Sequence, residues 1–286
     1  MQLAQHSNAA LHVLAVIQEP PWYTVRWSRK LPIQARLMKL RREREDYLET
    51  LVAPLQVAGI TVSIQATIGP PWLEIIRAVI RHNHDLVVKT AATETGVRKA
   101  FFGSTDMHLL RKCPGALWLL KPTEAEHYRS ILVAVEAEVE EQEKFIRNAR
   151  LVRLATALAH AEGASLFVVS AWTTFAENKL RAHLAPAQFR HYIRESQQKA
   201  AQKLRTFFSL AAGDISHPRL HLVPGDPDAV IPHLANTRSV DLVVMGTPGR
   251  SGILGLWSGR TAEKILHRLE CSLFTMKPVG FRSPVS

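Results

Sequence analysis

The sequence has very little cysteine, and it lacks any long hydrophobic run. Cys113 and Cys271 are its two cysteines in 286 residues. They make no disulfide framework and match no metal-finger spacing, which favours a reducing cytosol. No stretch approaches the roughly 18 consecutive apolar residues of a membrane span. The short apolar run at residues 9–17 follows no basic stretch, so we expect a strand there and not a secretion signal.

Acidic residues are outnumbered, and the formal net charge is +11. Much of the excess lies in residues 26–45, where Arg36, Lys39, Arg41 and Arg42 interleave with leucines at roughly helical spacing. This pattern predicts a solvated helix face. The alternative is a patch for nucleic acid or an anionic membrane, but no aromatic interleaving or recognition motif accompanies it.

Groups arranged for metal binding or catalysis are also missing. The chain has 13 histidines, yet neither the pair His82 and His84 nor the pair His217 and His221 shows the Cys/His spacing of structural zinc. No nucleophile-and-base order can be argued from the sequence. We therefore expect no metal site, no catalytic residue and no enzyme activity beyond slow, incidental ATP hydrolysis.

What the sequence does contain is an internal repeat. Residues 84–122 align without gaps on residues 240–278, and eleven of the thirty-nine positions are identical. The identical pairs include Asp85 and Asp241, Gly96 and Gly252, Gly103 and Gly259, Thr105 and Thr261, and Lys121 and Lys277. A period this long indicates a duplicated domain. The predicted domains are residues 1–122 and 123–286, called here the first and second repeat.

The second repeat alternates apolar runs with helical patterns. Strands are predicted at 129–136, 165–172, 219–225, 240–246 and 272–278, and helices at 143–163, 185–213, 226–238 and 261–268. Continuous apolar strands separated by helices predict a parallel sheet covered on both faces, hence the α/β class. A flavodoxin-like strand order of 2-1-3-4-5 is expected.

The first repeat lacks a counterpart of the opening strand at 129–136. Of the first helix it keeps only the last residues, in "MQLAQHS". An opening strand is internal in such a sheet, so its loss leaves neighbouring strands with unpaired backbone groups. A shortened gene model is the favoured explanation. The alternative is that another segment fills the slot.

The second repeat resembles the nucleotide loop of universal stress proteins. The resemblance rests on Gly246 and Gly249, then nine residues and Gly259, followed by "RTAEKIL" and "CSLFTMKP". The duplication, with "HDLVVK" and "STDMHLLRKCP" in the first repeat, is similar to tandem, E-type members. The resemblance implies two tandem flavodoxin-like domains, Rossmann-like and of the adenine nucleotide alpha hydrolase type. It implies parallel five-stranded sheets, the first without its opening strand, in a cytoplasmic stress-response protein.

Members with one domain commonly dimerise through their last strands, and tandem members mimic that dimer within one chain. The resemblance therefore implies intramolecular pairing of the two domains, and it leaves a further homodimer open.

The resemblance also implies a ligand, an adenine nucleotide such as ATP with magnesium. Relatives that bind ATP carry Ser or Thr after the last glycine, where this chain has Arg260 and then Thr261. They carry Asp after the first strand, at the ribose end, where this chain has Glu136. Val223 falls where the family contacts adenine. Each of these residues has a structural alternative, as a loop or strand-core residue.

Physical chemistry supports an anion site at this loop. Glycines let backbone N–H groups approach an anion, and the following helix adds free N–H groups and its positive dipole end. The other interpretation is that the glycines only turn the chain. The first repeat has Thr90 and Thr93 in place of Gly246 and Gly249. Because β-branched residues are poorly suited to positive φ, we expect the first repeat to bind no nucleotide.

The favoured function is a cytosolic binding and regulatory module with a modified ATP site in the second repeat and an unknown protein partner. One alternative is a protein-interaction scaffold that binds no nucleotide. Another is a nucleic-acid-associated protein that uses residues 26–45. A hydrolase or nucleotidyl transferase is the least favoured.

Overall fold

The computed structural model describes residues 4–5, 7–18, 33–93, 100–122, 127–137, 140–174, 177–211, 219–247 and 259–285. Their contacts divide the chain into two compact units. The first is Met1–Asn83 with Val285–Ser286, and the second is His84–Pro284. No helix in this described part of the chain is long and apolar enough to cross a membrane.

The first unit contains two parallel strands joined by a long helix. Its elements are β1 (Leu11–Ile17), α1 (Ile33–Val57), β2 (Val62–Ile68) and α2 (Pro71–His82). The strands pair in register from Leu11 opposite Val62 to Ile17 opposite Ile68. Parallel neighbours need a crossover connection, and α1 contacts both strands. It buries Leu37, Leu48 and Val52, whose spacing places them on one face of the helix.

The basic segment of the sequence lies partly in α1. Its residues 26–32 are outside the described residues, whereas Lys39 and Arg41 are exposed on the helix. Lys39 pairs with Glu43 at 3.8 Å, and Arg41 Nε donates to Glu45 Oε1 at 3.0 Å. These exposed i,i+4 pairs offset part of the positive charge, which agrees with the predicted solvated face.

The second unit is built on a seven-stranded sheet. Its strands are β3 (Leu86–Thr90), β6 (Ala116–Leu120), β7 (Ser130–Ala134), β8 (Ser165–Trp172), β9 (Arg219–Pro224), β10 (Leu242–Gly246) and β11 (Ser272–Met276). A separate antiparallel pair is β4 (Ala92–Thr93) with β5 (Ala100–Phe101). The helices are α3 (Ser104–Lys112), α4 (Gln142–Glu162), α5 (Glu177–His183), α6 (Pro186–Ala211), α7 (Pro227–Thr237) and α8 (Gly259–Arg268).

The predicted elements of the second repeat are present with small changes at their ends. Both faces of its sheet are covered, because consecutive residues from Ile131 to Ala134 are all buried while their side chains alternate between faces. One core cluster joins residues of α4 and α6 to alternate residues of the strands, among them Ile131, Val133 and Val244. Leu132 and Val243, which alternate with these, are fully buried on the other face.

The strand order differs from the predicted one. The sheet runs β3-β6-β11-β10-β7-β8-β9, so the second repeat has the order 3-2-1-4-5 and not 2-1-3-4-5. The physical reason is the direction of the crossovers. The connection after β7 leads to its neighbour β8, and the connection after β8 leads further outward to β9. The chain then reverses once, through α7, and places β10 on the other side of β7. The topological switch point, at which successive strands begin to be added on the opposite side of the first one, therefore lies between β7 and β10.

Two strands of the first repeat belong to this sheet. β3 pairs with β6, and β6 pairs antiparallel with β11, so the last strands of the two repeats are neighbours, as the resemblance implies. Trp118 lies opposite Phe274, with their ring centroids 5.7 Å apart in an edge-to-face arrangement. The predicted boundary at 122/123 stays a prediction about the repeats, since the compact units divide elsewhere.

The first repeat's strands fall into two groups, β1 with β2 and β3 with β6. In the order of the second repeat, an opening strand stands between the counterparts of β1 and β3. Among the described residues, no strand occupies that position in the first repeat. The division of the chain at residue 83 falls between these two groups of strands.

Equivalent lysines stabilise the junction of the last strands. Lys121 Nζ donates to Leu269 O at 2.7 Å, at the end of α8. Lys277 Nζ donates to Leu110 O at 2.6 Å, at the end of α3. Each lysine thus satisfies a carbonyl at the helix end of the other repeat. Burial lowers the pKa of Lys277 to about 8, against the opposing effect of Cys113.

Candidate functional site

The predicted site residues lie along the carboxyl edge of the second repeat's sheet. Glu136 follows β7, and Gly246 is the last residue of β10. These strands are neighbours, with Ala134 opposite Met245. Glu136 and Gly246 therefore flank the switch point, where ligands of open α/β sheets bind.

Val223 is further along the same edge. It lies in β9 opposite Ala171 of β8, and β8 separates β9 from β7. At about 4.8 Å between neighbouring strands, Val223 is roughly 10 Å from the line of β7. The next turn uses Gly225 with φ +126°, and its amide donates to Trp172 O at 2.9 Å. Gly69 of the first repeat has the same role, donating to Ile17 O at 3.0 Å.

Helix α8 begins at the same edge, because it ends shortly before the start of β11 and thus runs against the strands. Gly259, Arg260 and Thr261 form its first turn. This turn contains no acidic residue, whereas His267 and Arg268 lie in the last turn. The positive end of the helix dipole is therefore not neutralised by a carboxylate of its own first turn. Gly249 and the side chain of Arg260 lie outside the described residues.

The first repeat differs at the corresponding helix. Asp106 of α3 is fully buried, and its Oδ2 accepts a hydrogen bond from the Gly103 amide at 2.9 Å. Its Oδ1 lies 2.8 Å from Lys89 Nζ. The second repeat has Ala262 and Met245 at these two positions. An internal carboxylate thus accepts one amide at the start of α3 and places a negative charge there, which is an independent reason to expect no anion site at this helix.

The chain around the first repeat's loop also differs. Thr90 ends β3, and Thr93 lies in the short β4–β5 ladder. The two repeats still begin their loops alike, because Ala91 donates its amide to Leu120 O at 2.7 Å and Thr247 donates to Met276 O at 2.9 Å.

Two cations of α4 converge on the predicted ribose-end carboxylate. Lys144 Nζ lies 3.4 Å from Glu136 Oε1, and Arg147 Nη2 lies 3.8 Å from Glu136 Oε2. Asn148 Nδ2 donates to the Glu136 carbonyl at 2.7 Å and fixes the turn after β7. Burial alone would lower the pKa of Lys144, but Glu141 and Glu136 outweigh this effect and the net direction is upward.

Gly246 permits a close approach between β10 and α4. A Cβ at residue 246 would lie 3.3 Å from Arg147 Nε and 3.4 Å from Leu151 Cδ1. These separations are tight, so a side chain there would displace the guanidinium. Gly246 thus has a packing role at the switch point in addition to any ligand contact.

Lys144, Arg147 and Asn148 were not among the sequence-predicted site residues. Their i, i+3, i+4 spacing puts them on one face of α4. A basic face in the first turns of the helix that follows Glu136 is the signal that could have found them. In the parts of the chain that are described, no group of three or more His, Cys, Asp or Glu side chains could hold a metal ion.

Comparison with known proteins agrees with this architecture. The sequence model of the Universal stress protein family matches residues 1–121 and 127–277. Universal stress protein E of Salmonella typhi is 32% identical over 260 residues, covering 88% of this chain and 78% of that protein. Universal stress protein E of Escherichia coli K12 is 33% identical over 235 residues, covering 80% and 72%.

Solved structures share the fold. The crystal structure of a putative universal stress protein from Pseudomonas aeruginosa UCBPP-PA14 has a TM-score of 0.63 and 23% identity, covering 96% of this chain and 95% of that one. A universal stress protein from Archaeoglobus fulgidus DSM 4304 has a TM-score of 0.62 and 16% identity, covering 94% and 88%. With two matched segments and relatives similar over most of its length, the chain belongs to the universal stress protein family, as a tandem member of the E type.

Proposed function

We propose that the second repeat binds an adenine nucleotide, ATP with magnesium, and that the first repeat binds none. The protein would then act as a nucleotide-responsive binding and regulatory module of the cytoplasmic stress response. Its effect would pass to a protein partner that recognises the liganded chain.

The contrast between α3 and α8 carries this proposal. The first turn of α3 contains the buried Asp106, which accepts the Gly103 amide and places a negative charge there, while the first turn of α8 has no acidic residue. Free N–H groups and the positive dipole end of a helix attract phosphate. Because α8 begins at the carboxyl edge of the sheet, near the β7–β10 switch point, its first turn is in the region where nucleotides bind in such folds.

The site supports binding better than catalysis. Phosphoryl transfer to water needs a group that orients the attacking water and acidic residues that hold magnesium. Glu136, which follows β7 at the switch point, is engaged by Lys144 and Arg147. Magnesium would therefore be carried mainly by the phosphates, and we propose no enzymatic role.

Replacing Gly259 with valine tests the proposal against a matched control in the first repeat. A β-branched side chain at the start of α8 should obstruct the approach of phosphate to the helix amides. Gly103→Val is the equivalent change at the start of α3, and a Cβ there would meet Phe101 Cε2 at 4.0 Å, an ordinary contact. We expect ATP binding to weaken by about tenfold or more in Gly259→Val and to be unchanged in Gly103→Val.

Thermal denaturation with and without ATP and magnesium measures the effect. ATP at about 100 times its Kd should add about 2.7 kcal/mol and raise the Tm of the parent by roughly 5–10 °C. The rise should persist in Gly103→Val and be reduced in Gly259→Val. A parent Tm that does not respond to millimolar ATP would instead support the protein-interaction scaffold. A response lost equally in both variants would contradict the assignment to the second repeat.

A further inference from the structure

The guanidinium of Arg147 lies at the switch point, and one of its N–H groups has no acceptor in the described part of the chain. Its Nε is buried and has no hydrogen-bond partner among the residues that the structure describes. It is also the atom nearest to the position of a Cβ on Gly246. Buried donors are nearly always paired in folded proteins, so a buried, unpaired Nε at the end of a strand needs an explanation.

Glu136 does not provide the missing partner. Its Oε2 is 3.8 Å from Arg147 Nη2, whereas a hydrogen-bonded guanidinium–carboxylate pair has separations near 2.8 Å. The carboxylate is closer to Lys144, at 3.4 Å. Arg147 is therefore held near Glu136 by charge, without the two parallel hydrogen bonds of a well-formed structural pair.

Among the described residues, the charges around Glu136 leave the switch point positive. Lys144 and Arg147 both face Glu136, and their side chains are 22% and 19% exposed. The other carboxylate in contact with Lys144 is Glu141, at 2.8 Å, but its side chain is 60% exposed and water screens much of its charge. Two mostly buried cations thus share one mostly buried carboxylate, which favours an additional anion.

Building on the proposed nucleotide site, we propose that Arg147 binds the phosphate chain of the ligand. The guanidinium, whose Nε is packed beside Gly246, would move off this glycine and donate Nε and a terminal nitrogen to phosphate oxygens at the end of β10. Lys144 would stay paired with the Glu136 carboxylate and keep it away from the phosphates. Glu136 would then be an internal counter-ion of the empty site, and not the ribose-binding residue that its sequence position implies.

The ligand class follows from this chemistry. A guanidinium recognises phosphate oxygens bidentately and makes no distinction between bases. We therefore expect the site to bind inorganic tripolyphosphate as well as ATP through Arg147, and to bind adenosine without its help.

Titration calorimetry at constant ionic strength tests the inference with three probes: ATP with magnesium, tripolyphosphate and adenosine. The variants are Arg147→Met, which removes the charge, and Arg147→Lys, which keeps the charge but loses the two parallel N–H donors of the guanidinium. Arg150→Met is the matched control, since Arg150 is an exposed cation on the same helix. Tripolyphosphate and ATP should bind at least about tenfold more weakly to Arg147→Met, with an intermediate loss in Arg147→Lys. Arg150→Met should resemble the parent, and adenosine affinity should not change.

The outcomes separate this inference from the proposed function. A parent that binds ATP, together with an Arg147→Met variant that binds it equally well, overturns the role of Arg147 and leaves the nucleotide site standing. Equal losses in Arg147→Met and Arg150→Met overturn it too, because net charge would then suffice. A parent that binds neither ATP nor tripolyphosphate overturns both proposals. Should Arg147→Met fail to fold, Arg147→Lys decides, and an affinity for tripolyphosphate equal to that of the parent counts against the inference.

Discussion

Replacing Asp106 with alanine is expected to lower the free energy of unfolding by about 3 kcal/mol. The carboxylate is fully buried, accepts the Gly103 amide at 2.9 Å and lies 2.8 Å from Lys89 Nζ. The Lys89 side chain is 26% exposed, so its charge would lose a buried partner without gaining full hydration. The Gly103 amide at the start of α3 would lose its acceptor in the same step.

The second repeat supplies the control for this prediction. It has Met245 and Ala262 where the first repeat has Lys89 and Asp106. The double variant Lys89→Met/Asp106→Ala therefore installs a pair that this fold already accommodates. Because no buried charge remains, it should be more stable than Asp106→Ala by about 1 kcal/mol or more. Urea denaturation of the parent, the single and the double variant measures both differences. A double variant less stable than the single one would contradict the ion-pair account.

The second large effect is expected from Asp241→Ala, with a loss of about 2–3 kcal/mol. One carboxylate oxygen of Asp241 accepts the Arg129 amide at 2.7 Å and the Ser130 amide at 2.9 Å, at the start of β7. Removing it leaves two backbone donors at the opening strand of the second repeat without their charged acceptor. Hydrogen bonds to a charged group contribute more than neutral ones, which is why the expected loss is large.

Asp85→Ala is the matched variant, because Asp85 is the equivalent residue of the first repeat. Its side chain is exposed, and no opening strand in the described part of that repeat offers amides to it. We expect a change within about 0.5 kcal/mol. Denaturation of the two variants side by side measures the contrast. Equal losses would mean that Asp85 also holds a strand start, and would contradict our description of the first repeat.

The fold was largely readable from the sequence, because the repeat allowed one half to be interpreted with the other. Continuous apolar runs predicted the strands around Leu132 and Val243, and both lie in the buried sheet. The strand order was not readable in the same way. The connection after β8 continues outward to β9, and the one after β9 turns back. That difference depends on how whole helices pack, which no local pattern records.

The site was predictable in part, for a similar reason. The family resemblance indicated Glu136 and the glycine spacing indicated Gly246, and these residues lie at the ends of the adjacent strands β7 and β10. Arg147 was missed because its position depends on the packing of α4 over a residue without a side chain. Sequence gives the residue types, but the close approach of helix and strand is a tertiary property.

A crystal structure of the chain with magnesium and a non-hydrolysable ATP analogue would locate the nucleotide. We expect one nucleotide per chain, with its phosphates at the first turn of α8 and within hydrogen-bonding distance of Arg147. We expect no nucleotide at α3, where Asp106 already accepts the Gly103 amide and contributes a negative charge. Phosphate density beside α3, or an α8 start that stays empty at saturating ligand, would contradict the proposed function.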